Sequence, residues 1–346
     1  MRVKVKEVDF AGVQQDWLNL EASGHLPEVY QTFWWQDIWW RHYGDNSKKL
    51  LLLAAYRGNR FIGVAPFFIQ RIILKKVLPV LKVIRFIGSR EFDYAGFPVV
   101  PEYASEAIDI FFQYLGREYP GHVSYFTDLP EQSLRLIEAG NNYFPYVKGE
   151  EDFVCHQINF PGKWEEYRRG LGASTKKNLS WYGNKLKRVG GLSLERLFLY
   201  SQSDADEFFS MHYRRWKMNP DDPSLAKLER YEKEVMQLLS QKGMLRLFFL
   251  NHDGKRISAM FMYDYHGKRY FHKGAYDPDY KESRAGSLIL YESIKDAFQC
   301  GLQSYDFLRG DEEYKKLYTK SFIQCYKVIM AKKKFKAKLF ELIAKG

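Results

Sequence analysis

"GAYDPDYKESRAGSLILYESIKDAFQCGLQSYDFLRGDEEYKKLY", Gly274 to Tyr318, decides the fold, because it reads as a strand end, a helix and a second strand in succession. Pro278 and Gly286 break the chain after the first strand, proline by removing a donor and glycine by freeing φ. A helix follows from about Ser287 to Gln299, with Leu288, Ile289, Tyr291 and Ile294 on one apolar face. Gly301 stops it, and the chain returns through a buried strand. That strand runs into "YDFLRGDEEYKKLYTK", where Asp306, Arg309, Asp311, Tyr314 and Lys315 crowd together. A solvated turn would explain such charges, but strand ends are also where α/β proteins hold their ligands. The helix start offers unpaired N–H groups and a positive dipole end, which suit a phosphate. Lys281, Arg284, Gly286, Ser287 and Leu288 are therefore the candidate phosphate residues, against the plainer reading of an ordinary helix start with exposed bases.

Working outward, one order of elements occurs twice. The first half has a Trp-rich helix from Thr32, "TFWWQDIWWRHYG", then the strands "LLLLAAY" and "RFIGVAPFFI" around a turn at Arg57-Gly58-Asn59. A strand at "VIRFIG" and a helix from Ala104 to Glu118 complete it. The second half has the helix "DEFFSMHYRRWK", the strands "LRLFFLN" and "RISAMFMYDY" around His252-Asp253-Gly254, the strand "RYFHKGAY", and the helix ending at Gln299. Glycine with Asn or Asp at these turns accepts the positive φ of tight hairpins. Each half thus reads as a mixed α/β unit, with a cleft expected between them. The expected domains are 1–150 and 151–346, joined by a linker near Asn141 to Asp152. The first-half helix start, "FPVVPEYASEA", lacks glycine and carries two glutamates, so only the second half is expected to hold a phosphate.

Composition bounds the function. With 46% hydrophobic and 27% charged residues, the 346-residue chain is a folded protein long enough for two domains. Aromatic residues reach 17%, and most belong in the core, with a minority free to line a groove. A net charge of +11 favours an anionic partner: a nucleotide, a phosphorylated precursor, tRNA or an anionic membrane surface; DNA is not among the expected partners. Cys155, Cys300 and Cys325 are too dispersed for a disulfide framework or a zinc site, which fits a reducing cytoplasm. No histidine pattern matches a metal motif, and no metal is expected. "MRVKVKEVDF" has no apolar h-region, and no apolar run approaches the ~20 residues of a membrane span.

Gly274 to Tyr318 resembles the C-terminal block of CelD-like GNAT acyltransferases of FemAB-type tandem architecture. The likeness rests on the aromatic-Asp-Pro segment at Tyr276 to Pro278, the small-residue turn before a helix, and the "DFLRGDEEYK" element from Asp306 to Lys315. The Trp-rich helix, "GVAPFFI", "FDYAG" at Phe92 to Gly96 and the basic helix "STKKNLSWYGNKLKR" at Ser174 to Arg188 extend it over most of the chain. The resemblance implies two tandem GNAT-like domains, each a mixed, mostly antiparallel sheet flanked by helices. It places the acceptor on the N-terminal side, and acyl-CoA (acetyl-CoA) as donor on the C-terminal side. The family's phosphate loop is only partly kept, as Lys281 to Gly286.

Acyl transfer from a thioester needs a proton acceptor, a stabilised oxyanion and a protonated leaving thiolate. The resemblance implies Lys315 for the oxyanion, Tyr314 as proton donor and Asp93 as base or acceptor clamp, although Tyr314 could be packed and Asp93 could cap a turn. Arg309 and Asp311 are expected to pair and order the loop. Lys176, Lys177, Lys185 and Arg188, with Tyr94 and Trp216, are assigned to the substrate, a solvated face being the alternative for the basic helix. His272 reads as structural. The expected activity is acyl transfer to an amine or hydroxyl of an anionic or saccharide cell-envelope or exopolysaccharide precursor, in the cytoplasm. Its rivals are a FemAB-type aminoacyl-tRNA-dependent enzyme and a non-catalytic precursor-binding protein. The C-terminal stretch, with Phe335, Leu339, Leu342 and Ile343 among lysines, reads as a packed helix or a contact with the inner membrane face.

Overall fold

The computed structural model describes residues 3–72, 81–89 and 91–344. The chain runs β1 (Val3–Val8), α1 (Phe10–Ala22), α2 (Phe33–Tyr43), β2 (Lys48–Arg57), β3 (Arg60–Ile72), β4 (Leu81–Phe86), α3 (Ala104–Glu118), β5 (Val123–Pro130) and α4 (Glu131–Ile137). It continues through β6 (Tyr146–Asn159), α5 (Trp164–Gly170), α6 (Ala173–Val189), β7 (Leu192–Leu197), α7 (Gln202–Trp216), α8 (Pro223–Gln241), β8 (Leu245–His252), β9 (Lys255–Tyr265) and β10 (Lys268–Tyr276). It ends with α9 (Ala285–Gln299), β11 (Ser304–Arg309), α10 (Glu313–Lys316), β12 (Phe322–Ala331) and α11 (Lys334–Ala344).

Two compact units result: Met1–Phe153 with Ile323–Gly346, and Val154–Phe322. Their topologies match. In the first, strand order is β1-β2-β3-β4-β5-β12. All neighbours are antiparallel except β4 and β5, where Val83 and Ile84 face Val123 and Ser124 in parallel. In the second, β7-β8-β9-β10 are antiparallel neighbours, and β10 runs parallel to β11. Parallel neighbours need a crossover connection, and α3 and α9 lie in those crossovers. The doubled pattern in the sequence is thus a doubled fold.

The domain boundary differs from the sequence expectation in two places. The chain after Phe322 returns to the first unit, where β12 pairs with β5 from Val123↔Ala331 to Pro130↔Cys325. The expected linker is instead the end of the first unit and the start of β6, a 14-residue strand. Its charges are accommodated because the first half of β6 is solvent-accessible, with Gly149 to Asp152 exposed. The terminal helix α11 packs through Ala337 and Phe340, with the Phe340 ring 4.9 Å from Tyr125. Phe335 and Leu342 of the anticipated apolar face stay exposed. The last two residues of that stretch lie outside the described residues.

The aromatic richness goes mainly into cores. In the first unit Phe67, Phe86, Phe97, Phe111, Phe112 and Phe126 form one buried cluster, with Phe67 stacked on Phe126 at 5.1 Å. The second unit has an apolar core of Phe248, Ile257, Ile289, Ile294 and Phe307 beneath α9. A buried ion network adjoins it. Arg269, fully buried, donates to Asp264 at 2.7 and 2.9 Å and to Asp296 at 2.7 Å. Arg246 and Arg196 hold the same two carboxylates from outside. Removing one partner of a buried pair typically costs 3–5 kcal/mol. Arg269→Met should lose about 3 kcal/mol, the low end of that range, because Arg196 and Arg246 remain. A urea midpoint lowered at unchanged slope is the expected readout.

Candidate functional site

β10 and β11 are hydrogen-bonded neighbours only where Lys268, Arg269 and Tyr270 face Ser304, Tyr305 and Asp306. Beyond that point both strands continue but no longer pair with each other. The parting has local causes. β10 carries a bulge against β9 between Phe271 and Lys273, and β11 one against β6 between Asp306 and Arg309. Leu308 takes the left-handed conformation, φ 57°, and Gly310 has φ 118°. A left-handed leucine costs roughly 1–2 kcal/mol, so the surroundings must impose it. They do. The buried Asp306 carboxylate accepts the Leu308 N–H at 2.8 Å. Lys315, 2% exposed, donates to the carbonyls of Leu308, Arg309 and Gly310 at 3.1, 2.6 and 3.2 Å.

This geometry corrects the role expected of Lys315. Its ammonium has three N–H bonds and already faces those carbonyls and Glu312 at 2.8 Å. No donor is left over for an oxyanion; the residue shapes the strand end instead. Asp311 is bound to His156 at 2.8 Å and Lys316 at 3.0 Å, where Arg309 was the expected partner. The half-exposed Tyr314 is different. Burial pushes its phenol well above the ordinary value, Glu312 adds to this, and its hydroxyl has no hydrogen-bond partner among the described residues. It is a protonated, uncommitted donor.

The start of α9 lies against this stretch, because Tyr318 donates its hydroxyl to the Ser287 carbonyl at 3.3 Å. Arg284, at φ 55°, is the helix N-cap, and neither a side-chain cap nor an acid occupies the first turn. Ser287 and Leu288 N–H groups both go to the Arg284 carbonyl, which leaves those of Ala285 and Gly286 open among the described residues. Lys281 and Arg284 are exposed beside them. Gly286 has a packing reason as well: a Cβ there would sit 3.2 Å from Cδ1 of Tyr276. The basic helix α6 packs on α9 through Leu186 and Leu288, with Gly183 facing Leu288. Lys177, Lys185 and Arg188 point to solvent, Lys185 over the Trp181 ring at 5.2 Å. Lys176 donates to the Arg169 carbonyl at 3.1 Å. Trp216, 55% exposed, ends α7.

Asp93 and Tyr94 lie in the first unit. Tyr30 donates to Asp93 at 3.3 Å. Tyr94 is buried, its ring 6.4 Å from Tyr30, so it packs in a core rather than facing a ligand. The first unit has the same short parallel pair, yet its own chain covers the edge of β5: the Ala95 N–H donates to the Asp128 carbonyl at 2.7 Å. α3 begins after Pro101 and Glu102 with Glu106 in its first turn, which repels an anion.

A buried polar cluster at the β10 bulge had no signal in the sequence beyond a lone histidine. Glu232 of α8 is bonded to His272 and Lys273, with Oε2 unpaired. Burial pushes Glu232 up, but Lys273 and His272 outweigh it and hold it at about 2. His212 of α7, buried with Nδ1 unpaired, is pushed down to about 4 by burial and Lys273. His156 is likewise 4% exposed, with Nε2 on Asp311 and Nδ1 unpaired.

Lys315→Met strands three carbonyls and should destabilise the protein by roughly 3 kcal/mol, whereas Lys316→Met, with partners at the surface, should leave the midpoint nearly unchanged. Equal denaturation midpoints for the two would reject the structural role. Between pH 6.5 and 4 the unfolded chain binds a proton at position 212 that the folded chain refuses, so stability falls on acidification. His212→Gln should flatten that slope by up to about one proton in urea titrations, leaving a share from His122, which burial also holds near 4.

Residues 173–316 match the family model described as Acetyltransferase (GNAT) domain. FemX shares the fold at 13% identity, covering 98% of this chain and 99% of its own, with a TM-score of 0.64. A C-terminal domain from Agrobacterium fabrum, assigned to a lysylphosphatidylglycerol synthetase, superposes over 97% of this chain and 96% of its own, at 10% identity and TM-score 0.55. L-PGS from Bacillus licheniformis does so over 86% and 91%, at 10% identity and TM-score 0.51. No curated protein sequence matches the chain. Among the described residues no helix is long and apolar enough to cross a membrane, and no group of His, Cys, Asp and Glu could hold a metal. Residues 173–316, within the second unit, are thus similar to a GNAT acetyltransferase domain, and the chain as a whole shares the fold of FemX.

Proposed function

We propose that the protein transfers an acyl group from acyl-CoA to an amine or hydroxyl of a cell-envelope or exopolysaccharide precursor. The observation that carries this is the parting of β10 and β11 directly before an uncapped, acid-free helix start. Parted strands offer free main-chain groups to an extended amide-bearing arm, and the helix start offers N–H groups to its phosphates. The residues present therefore fit the donor: Ala285 to Leu288 with Lys281 and Arg284 at the phosphates, and the bulged β10 beside the thioester. FemX and the lysylphosphatidylglycerol synthetase domain share the fold, which supports an acceptor belonging to the cell envelope.

In the reaction the acceptor's N–H or O–H proton leaves as the new acyl bond forms, the C–S bond breaks, and the thiolate is protonated. Tyr314 supplies that last proton, since its phenol is free and held protonated by burial. The acceptor's proton passes to solvent. Exposed Lys177, Lys185 and Arg188 on α6 give an anionic acceptor its electrostatic attraction. Phe335 and Leu342, exposed among Lys333, Lys334 and Lys338, suit a peripheral contact with an anionic membrane.

A thermal-shift comparison of acetyl-CoA, longer acyl-CoAs and aminoacyl-tRNA identifies the donor. A ligand at 100 times its dissociation constant adds about 2.7 kcal/mol. With the acyl-CoA that binds, thiol release in the presence of amino-sugar and hydroxyl acceptors measures turnover. Tyr314→Phe should lower kcat by about 10²-fold or more at unchanged donor affinity. Stabilisation by aminoacyl-tRNA alone would turn the reading to an aminoacyltransferase, and binding without turnover to a precursor-binding protein.

A further inference from the structure

At one end of the first unit's sheet, the neighbours β2, β3, β4, β5 and β12 present a row of bases. Arg71 of β3 stands directly opposite Lys82 of β4. The parallel match of Val83 with Val123 sets His122 beside Lys82, and the match of Val123 with Ala331 sets Lys332 beside His122. At ~4.8 Å between strands, the row from β3 to β12 spans about 14 Å. Lys49 of β2 belongs to it as well, because burial together with Lys82, Lys336 and Lys49 pushes His122 down to about 4. Like charges directly opposite each other destabilise an antiparallel pair, yet no acid relieves these. Among the described residues no carboxylate lies within ion-pair distance of Lys49, Arg71, Lys82, Lys332 or Lys333. Acids near this end are engaged: Asp45 accepts from Ser47 and Lys48, Glu118 pairs with Arg117, and Glu7 accepts the Tyr114 and Tyr119 hydroxyls.

The same end leads into α11. Five of the seven residues from Lys332 to Lys338 are lysines. Lys336 donates to the Gly121 carbonyl at 2.7 Å, which fixes the start of α11 beside His122. The helix packs inward through Ala337 and Phe340, and its outer face carries Phe335, Lys338 and Leu342 at i, i+3 and i+7. Phe335 is 65% and Leu342 74% exposed. Large apolar side chains turned outward beside unpaired lysines suit a bilayer surface, where lipid phosphates meet the bases and the interface takes up the apolar tips. A row of this breadth also outspans a single phosphate and asks for a plane of negative charge. We propose that the basic end of β2 to β5 and β12, with the outer face of α11, docks the protein on an anionic lipid bilayer. The proposal deepens the peripheral contact named above for Phe335 and Leu342, and it needs nothing of the acyl-CoA reading.

The test is co-flotation of the full chain with vesicles of equal parts phosphatidylglycerol and phosphatidylcholine, against vesicles of phosphatidylcholine alone. Each base near an anionic surface contributes about fivefold to partitioning, so Arg71→Gln with Lys82→Gln should lower the partition coefficient by about tenfold or more. Removing their mutual repulsion should leave the melting temperature of that variant no lower than the parent's. Phe335→Gln with Leu342→Gln should lose about tenfold and keep the parent's salt dependence. Arg230→Gln with Lys320→Gln removes the same charge from exposed positions of the second unit and should stay within about twofold. Equal flotation with phosphatidylcholine alone, or an equal loss in that control pair, overturns the proposal. Labelled tRNA is titrated in parallel. If tRNA binds through Arg71 and Lys82 while the vesicles do not, the surface belongs to nucleic acid and the proposal falls. Thiol release from acyl-CoA is scored separately. A protein that floats but releases no thiol removes the acyl-CoA reading alone, and one that releases thiol but does not float removes the docking surface alone.

Discussion

Three consecutive main-chain carbonyls, those of Leu308, Arg309 and Gly310, turn onto one buried ammonium. Carbonyls in a regular strand alternate in direction, so gathering three on one cation requires the chain to leave strand geometry. Leu308 accordingly crosses into the left-handed region, and Asp306 secures its N–H. The consequence is felt on both sides of β11. Toward β6 the register slips between Asp306 and Arg309; toward β10 the pairing stops at Asp306. The opening that could admit a substrate is thus the outcome of a buried charge satisfied by backbone, a stable arrangement because the desolvated ammonium has a full set of acceptors.

The duplication shows what makes one unit receptive and the other closed. Both have two parallel strands joined by a crossover helix, and both have a left-handed residue late in the second strand, Asp128 in β5 and Leu308 in β11. In the first unit the segment leading to α3 returns to cover β5, through the Ala95 N–H on the Asp128 carbonyl, and Phe97 fills the core beneath. In the second the corresponding segment is the short helical turn Pro278–Ser283, held by Asp277 through the Asp279 N–H at 3.1 Å, and it leads straight into α9. The same scaffold therefore yields a packed core where the connection folds inward. Where the connection is short, it yields an open helix start.

The fold was legible because it depends on local signals. Glycine turns, alternating apolar strands and the apolar stripe of α9 each determine their own element, and their repetition gave the tandem layout. The C-terminal return was not legible. β12 belongs beside β5 through pairings that span about half the chain, and nothing in the residues from Phe322 to Ala331 names a partner. The strand end was legible in the sequence, and the roles of its charges were not. The charge cluster around Arg309 marked the strand end correctly, but a lysine that satisfies backbone and one that stabilises an oxyanion have the same sequence. Burial distinguishes them, and burial is tertiary. For the same reason His156, His212 and Glu232 left no pattern: each is a single polar residue in an apolar neighbourhood.

The electrostatics of the second unit hold its buried titratable groups in different protonation states. Tyr314 is kept protonated because burial and Glu312 oppose a phenolate. Glu232 stays ionised because Lys273 and His272 outweigh a burial that would otherwise neutralise it. His212 remains neutral, since burial and Lys273 both oppose its cation. At neutral pH the cluster thus holds a carboxylate with one unpaired oxygen and an imidazole with one unpaired nitrogen, both on the α7–α8 side of β10. The bulge in β10 is what makes room for it: it interrupts the alternation of side chains at His272, so that both His272 and Lys273 reach Glu232 from adjacent positions on one strand.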